Sequence, residues 1–285
     1  MFRRLAPILL LMTVFAAACG SDDPAETTAP SETAPSETGT DLTVKPDVAV
    51  ATGAAPTELV VEDIVDGDGK AATAGDFLEM HYVGVRFSDG GQFDASWDRG
   101  STFNFVLGAG SVIQGWDKGI LDMRVGGRRQ LTIPAELAYG DVAQGADIPA
   151  NSPLVFVVDL LAAYEEPVVD GEPDPVDELV VTVLEEGDGV EVADGMVVEL
   201  LYVAKNQATD EVFDSSWLIG RPASFILGAD PSQSIPAWEE ALPGTTVGSR
   251  LRMVIPVGMG IEGAEGSPVG PDDTIITEVI VLNAG

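Results

Sequence analysis

Between residues 76 and 87 the chain reads D-F-L-E-M-H-Y-V-G-V-R-F, with apolar side chains at nearly every second position. A period of two marks a strand that turns one face to a core. R-R-Q-L-T-I-P at 128–134 alternates in the same way, and L-V-F-V-V-D-L-L at 154–161 is apolar enough to read as a buried strand. Gly-rich turns, S-D-G-G and G-A-G-S, separate such runs. One segment changes period. In V-I-Q-G-W-D-K-G-I, Ile113, Trp116 and Ile120 fall three or four apart and are predicted to share one face of a short helix. Phe93, Phe103 and Phe105 stand at strand-like alternation and can line one wall opposite that helix. An aromatic wall facing a helix with Trp116 on its inner side describes an apolar pocket with few polar groups; an ordinary aromatic core has the same composition.

The pattern then repeats. H-Y-V-G at 81–84 answers to L-Y-V-A at 201–204, Q-F-D-A-S-W at 92–97 to V-F-D-S-S-W at 212–217, and F-V-L-G-A at 105–109 to F-I-L-G-A at 225–229. From Trp116, which matches Trp238, the offset grows from 120 to 122, so two residues are inserted within D-P-S-Q-S-I-P. The copies span 59–164 and 178–285, and E-E-P-V-V-D-G-E-P-D-P-V-D at 165–177 reads as an acidic, Pro-rich linker.

Ahead of both copies, Arg3 and Arg4 precede an apolar run from Leu5 to Phe15 and then A-A-A-C at 16–19. Residues 1–18 read as an export signal, the run being too short to span a bilayer. The site is similar to a bacterial lipobox, with Ala16 where leucine is usual, and it makes Cys19, the single cysteine, the expected lipid-bearing N-terminus. Residues 19–58, rich in Ser, Thr, Pro, Ala and Glu, read as a disordered tether from an extracytoplasmic membrane face. A net charge of −33 argues against nucleic acid and against docking on anionic headgroups.

The chemistry-bearing residues are few. One His and one Cys leave no Cys–His pair and no zinc cluster, and no Lys-Ser/Thr ending follows G-A-G-S-V-I-Q-G. D-G-D-G-K at 66–70 and E-E-G-D-G at 185–189 read as turns and not calcium loops, and His81, inside an alternating run, as a structural strand residue. Neither metal nor cofactor is expected.

The runs H-Y-V-G, F-D-A-S, F-N-F-V-L-G, V-I-Q-G-W, A-Y-G and I-P-A-N-S-P-L-V-F resemble, in order and close to spacing, the FKBP family of peptidyl-prolyl isomerases over 59–164. The resemblance implies an α+β chain of two FKBP-like domains, each a curved antiparallel sheet around a short helix. It also implies a first domain that isomerises X–Pro bonds in unfolded or exported polypeptides and takes FK506-like macrolides. On the family's pattern Trp116 is the pocket floor, and Tyr82, Phe93, Phe103, Val112, Ile113 and Phe156 are its walls. Tyr139 and the Ile113 N–H are the donors to a ligand carbonyl, and Asp94 is a lone carboxylate paired with Arg99 and the Tyr82 hydroxyl. Gln144 and Asp147 depart from the family, which implies a more polar rim. In the second copy Tyr202, Phe213, Asp214 and Trp238 persist, but Ala223, Ile219, Ile261 and Thr277 stand where aromatic, basic or hydroxyl groups are needed, so little turnover is expected there. The alternative is a non-catalytic module that holds Pro-containing segments; a solute-binding lipoprotein is disfavoured because βαβ patterning is missing.

Overall fold

The computed structural model describes residues 41–50, 53–170, 176–261, 268–270 and 272–285. The signal segment, Cys19 and the first part of the tether lie outside the described residues. The first copy contains β1 (Val60–Val65), β2 (Phe77–Arg86), β3 (Gln92–Ala95), α1 (Ser96–Arg99), β4 (Phe103–Val106), α2 (Gln114–Gly119), β5 (Arg128–Ile133) and β6 (Leu154–Tyr164). The second repeats this as β7 (Val180–Glu185), β8 (Val197–Asn206), β9 (Val212–Ser215), α3 (Ser216–Ile219), β10 (Ala223–Ile226), α4 (Pro236–Ala241), β11 (Arg250–Ile255) and β12 (Ile275–Ala284). Both sheets belong to one compact unit.

Each copy is α+β, with an antiparallel sheet and few short helices. The first sheet runs β1-β5-β6-β2-β3, with β4 also paired to β2; the second has the same order. The long central strands β2 and β6 pair along their whole length, setting Gly84 opposite Phe156 and Tyr82 opposite Val158. The face towards α2 carries Leu78, Met80, Tyr82, Phe105, Leu131, Phe156 and Leu160, one core with Trp116 and Ile120.

α2 is shorter than its apolar spacing predicts. Ile113 has extended backbone at its N-cap and Ile120 closes its C-terminus, so only Trp116 of the three apolar residues lies within the helix. A second turn, α1, was not predicted; Gly100 ends it at φ 65°, a left-handed conformation that glycine adopts without strain. Two glycines let α2 seat closely on β5. A Cβ on Gly115 would come within 2.5 Å of Ile133 and one on Gly119 within 2.7 Å of Leu131.

The tether and linker are shorter than expected. Val48 and Val50 pack on Val83, Val85, Ala95 and Val155, the outer face of the first sheet. Arg128 Nη2 donates to the Val44 carbonyl at 3.0 Å, and Lys45 pairs with Asp98 at 2.6 Å. After β6, Val169 is buried against Leu201, Val203 and Ile276, and Lys205 Nζ donates to its carbonyl at 3.0 Å. The central strands of each sheet are buried on both faces while the edge strands β1 and β7 stay largely exposed, and the chain just upstream covers part of the outer face. The physical reason is apolar area: valines on the outer face of β2 and β6 gain from a cover that a sparse Val-x-Val segment supplies. Trp217 meets Phe77 of the first copy edge to face, with ring centroids 5.9 Å apart.

Candidate functional site

A cavity of about 460 Å³ opens between the inner face of the first sheet and α2. Its floor is Trp116, which is 4% exposed. Tyr82, Phe103 and Phe156 stand around that indole at centroid distances of 5.2, 5.7 and 5.2 Å, with interplanar angles of 80°, 86° and 85°. Phe93 meets Phe156 at 5.5 Å and 83°. Edge-to-face contacts place the positive ring rim on the negative face of its neighbour, so the rings hold each other upright as well as apolar. Phe105, part of the aromatic alternation, lies beneath Trp116 in the core and does not line the cavity.

The polar groups are few and placed by local structure. Tyr82 donates its hydroxyl to Asp94, and Arg99 pairs with the same carboxylate. Arg99 Nη2 also donates to the Tyr82 oxygen at 2.9 Å, and its guanidinium carbon lies 5.6 Å from the Tyr82 ring centroid. Burial first, and then the bond to Asp94, push the Tyr82 phenol up to about 12. Arg99 therefore acts from behind Asp94; unlike the other predicted site residues, it is not a wall of the cavity.

Tyr139 follows a 3-10 turn (Ala135–Leu137) and lines the cavity. Burial, then the charge of Asp94, raise its phenol above the ordinary tyrosine value, so it remains an O–H donor at neutral pH. Ile113 lends its carbonyl to the first turn of α2, 2.9 Å from the Trp116 N–H. Val112 and Ile113 both line the cavity. Gln144 and Asp147 do not. They sit in an exposed loop where Gln144 N donates to the Ile148 carbonyl at 2.8 Å and Arg86 holds the Asp147 carbonyl at 2.8 Å. His81 is away from the site, stacked on Trp97 at 4.2 Å and bonded through Nδ1 to Ser96 Oγ at 2.9 Å. Among the described residues no cluster of His, Cys, Asp or Glu could hold a metal ion.

Sequence reasoning missed Ser111, Gln114 and Ala138 on the cavity wall, and Gly84 behind it. A Cβ on Gly84 would lie 2.7 Å from both Phe156 and Phe93, so the bare backbone is what lets two wall aromatics stand. A glycine inside a strand signals such a close approach.

The second copy's cavity holds about 230 Å³. Trp238 keeps Tyr202 at 5.2 Å, but Phe225 now stacks on it at 16°. Tyr202 donates to Asp214 at 2.7 Å. Ile261, Ala223 and Thr277 line the cavity at the positions of Tyr139, Phe103 and Phe156. The cross-strand pair Gly84–Phe156 has become Ala204–Thr277.

The sequence profile for "FKBP-type peptidyl-prolyl cis-trans isomerase" matches residues 68–161 and again 189–282. An FK506-binding protein of Streptomyces anulatus is 54% identical over 119 residues, 41% of this chain and 96% of that one. A probable FK506-binding protein of Corynebacterium glutamicum is 49% identical over 119 residues, 42% of this chain and 98% of that one. An FK506-binding protein of Neisseria meningitidis serogroup B is 44% identical over 107 residues, 38% of this chain and 97% of that one.

Proposed function

Since the chain belongs to the FKBP-type peptidyl-prolyl cis-trans isomerase family, matched at 68–161 and 189–282, we propose that the first copy is its working isomerase and acts on exported, proline-containing polypeptides. The observation that carries this reading is the set of upright aromatics around Trp116, with Asp94, Ser111, Gln114 and Tyr139 on the same cavity wall. Resonance holds an X–Pro amide planar behind a barrier of about 18–20 kcal/mol. At the twisted transition state that resonance is lost and the carbonyl is less dipolar. A dry aromatic cavity therefore disfavours the planar amide more than the twisted one, and this difference is what accelerates the reaction. Each 1.36 kcal/mol so gained is about tenfold in rate. Tyr139 and the Ile113 N–H receive the substrate carbonyl, Asp94 is steadied by Tyr82 and Arg99, and no group forms a covalent bond.

A prolyl-peptide isomerisation assay on the intact chain tests the proposal. Turnover is expected, with inhibition by an FK506-like macrolide; a rate no greater than the uncatalysed one overturns it. Tyr139→Phe removes one rim donor and should lower kcat/KM by about two- to tenfold, the range of one hydrogen bond.

The same reading makes the protein a lipoprotein on the extracytoplasmic side of a bacterial membrane, with residues 1–18 removed and Cys19 acylated. Two or more acyl chains give stable anchoring. Mass spectrometry of the mature protein should find a lipid-modified Cys19 at the N-terminus; an intact Met1 or a free thiol at Cys19 contradicts this.

A further inference from the structure

The second cavity carries, without an ion-pair partner among the described residues, a carboxylate that the first pairs with an arginine. Asp94 is held from two sides, by the Tyr82 hydroxyl and the Arg99 guanidinium. Asp214 keeps only the equivalent phenol. Ile219 stands at the arginine position, and among the described residues no cation pairs with Asp214. Arg221 is exposed and acts on Tyr202 through space, yet makes no ion pair with Asp214.

The walls have changed in character too. Ala223, Ile235, Ile261 and Ile275 line the cavity, which at about 230 Å³ is half the volume of the first. Thr277, also on its wall, is 1% exposed, and among the described residues its hydroxyl has no hydrogen-bond partner. A buried hydroxyl without a partner is costly, so a lining residue of this kind points to a ligand.

From a carboxylate without a cationic partner in a small cavity with isoleucine on its wall, we propose that the second cavity binds a primary ammonium on a short alkyl stem, namely a lysine side chain of a polypeptide. The ammonium donates to Asp214, the stem packs on Ile235 and Ile261, and Thr277 offers an acceptor within the cavity. The Trp238 ring at the floor favours a cation over a neutral head group. A chain of net charge −33 raises the local concentration of such partners.

The test uses the intact chain, isotope-labelled at tryptophan nitrogen and titrated with Nα-acetyl-lysine N-methylamide. The Trp238 indole signal, assigned by its loss in Trp238→Phe, should shift and saturate. The norleucine analogue, with the same stem and no ammonium, should bind at least about tenfold more weakly. Asp214→Asn and Ile219→Arg should each weaken lysine binding by a similar factor; the second restores the basic partner of the first copy and leaves the cavity lining intact. Equal binding of the norleucine analogue, unchanged binding in both variants, or no shift at Trp238 overturns the inference. Prolyl turnover should be unaffected by Ile219→Arg, so failure here is separable from failure of the isomerase reading.

Discussion

Replacing the pair Gly84–Phe156 by Ala–Thr, the pair that the second copy carries at the same place, should restore packing without restoring turnover. Gly84→Ala alone drives a methyl to within 2.7 Å of Phe93 and Phe156, an overpacking expected to cost about 1–3 kcal/mol. Phe156→Thr alone empties a buried site and should cost about 3–5 kcal/mol. The two residues face each other across β2 and β6, so the double variant fills part of that space with the new methyl. Its loss of stability should fall short of the sum by about 0.5–3 kcal/mol, the range for residues in contact. Activity should behave otherwise. Phe156 supplies the ring that meets Trp116 at 5.2 Å and Phe93 at 5.5 Å, and threonine cannot exclude water from the amide in that way. Both Phe156→Thr and the double variant should lose at least about tenfold in kcat/KM on a prolyl peptide, equal to some 1.4 kcal/mol of transition-state stabilisation. The intact chain still contains its second copy in these variants. Recovery of full turnover by the double variant would show that the aromatic wall is packing alone, and residual full activity in Phe156→Thr would place the isomerase elsewhere.

That exchange also shows how far the sequence could be read. The α+β architecture and the twofold repeat were legible because strand alternation survives in both copies and all four tryptophans recur in register. The aromatic cavity residues were legible because they lie in contiguous motifs, whereas Ser111, Gln114 and Ala138 were not. Gly84 lies in one of those motifs, but its role depends on the β2–β6 register, which one strand read alone does not define. The covering segments were hidden for another reason. Val44, Val48 and Val50 are sparse among polar residues, and composition alone assigns such a stretch to disorder. What orders it is the outer sheet face, where Val83, Val85 and Val155 need a partner. The length of α2 was misread because Ile113 and Ile120 satisfy the helical spacing from its two ends, one of them in extended backbone.

An equally large effect on stability should come from a pair that lines neither cavity. Arg128 and Asp159 face each other across β5 and β6 with both side chains fully buried. The guanidinium grips the carboxylate twice, with Nη2 to Oδ2 at 2.8 Å, and the same nitrogen donates to the Val44 carbonyl. Burial raises the Asp159 carboxyl above its ordinary value, outweighing the bond and charge of Arg128 that lower it. Arg128→Met removes those two lowering influences and strands the carboxylate, at an expected cost of about 3–5 kcal/mol near neutral pH. Because the folded state of this variant then holds the Asp159 proton more tightly than the unfolded chain does, its stability is retained below the unfolded value of about 3.9 and is lost as pH rises through the folded one. The deficit should therefore shrink on acidification towards about pH 4. Arg128→Met with Asp159→Leu puts apolar groups on both sides and should recover most of the loss. The second copy supplies the control. Its pair, Arg250 and Glu278, leaves the arginine 38% exposed and the carboxylate 5% exposed, so water reaches the pair from one side and Arg250→Met should cost less than Arg128→Met. Thermal unfolding of the three variants across pH measures all of this; a mild Arg128→Met, or a double variant no better than the single, would show that the pair is not what holds β5, β6 and the Val44 segment together.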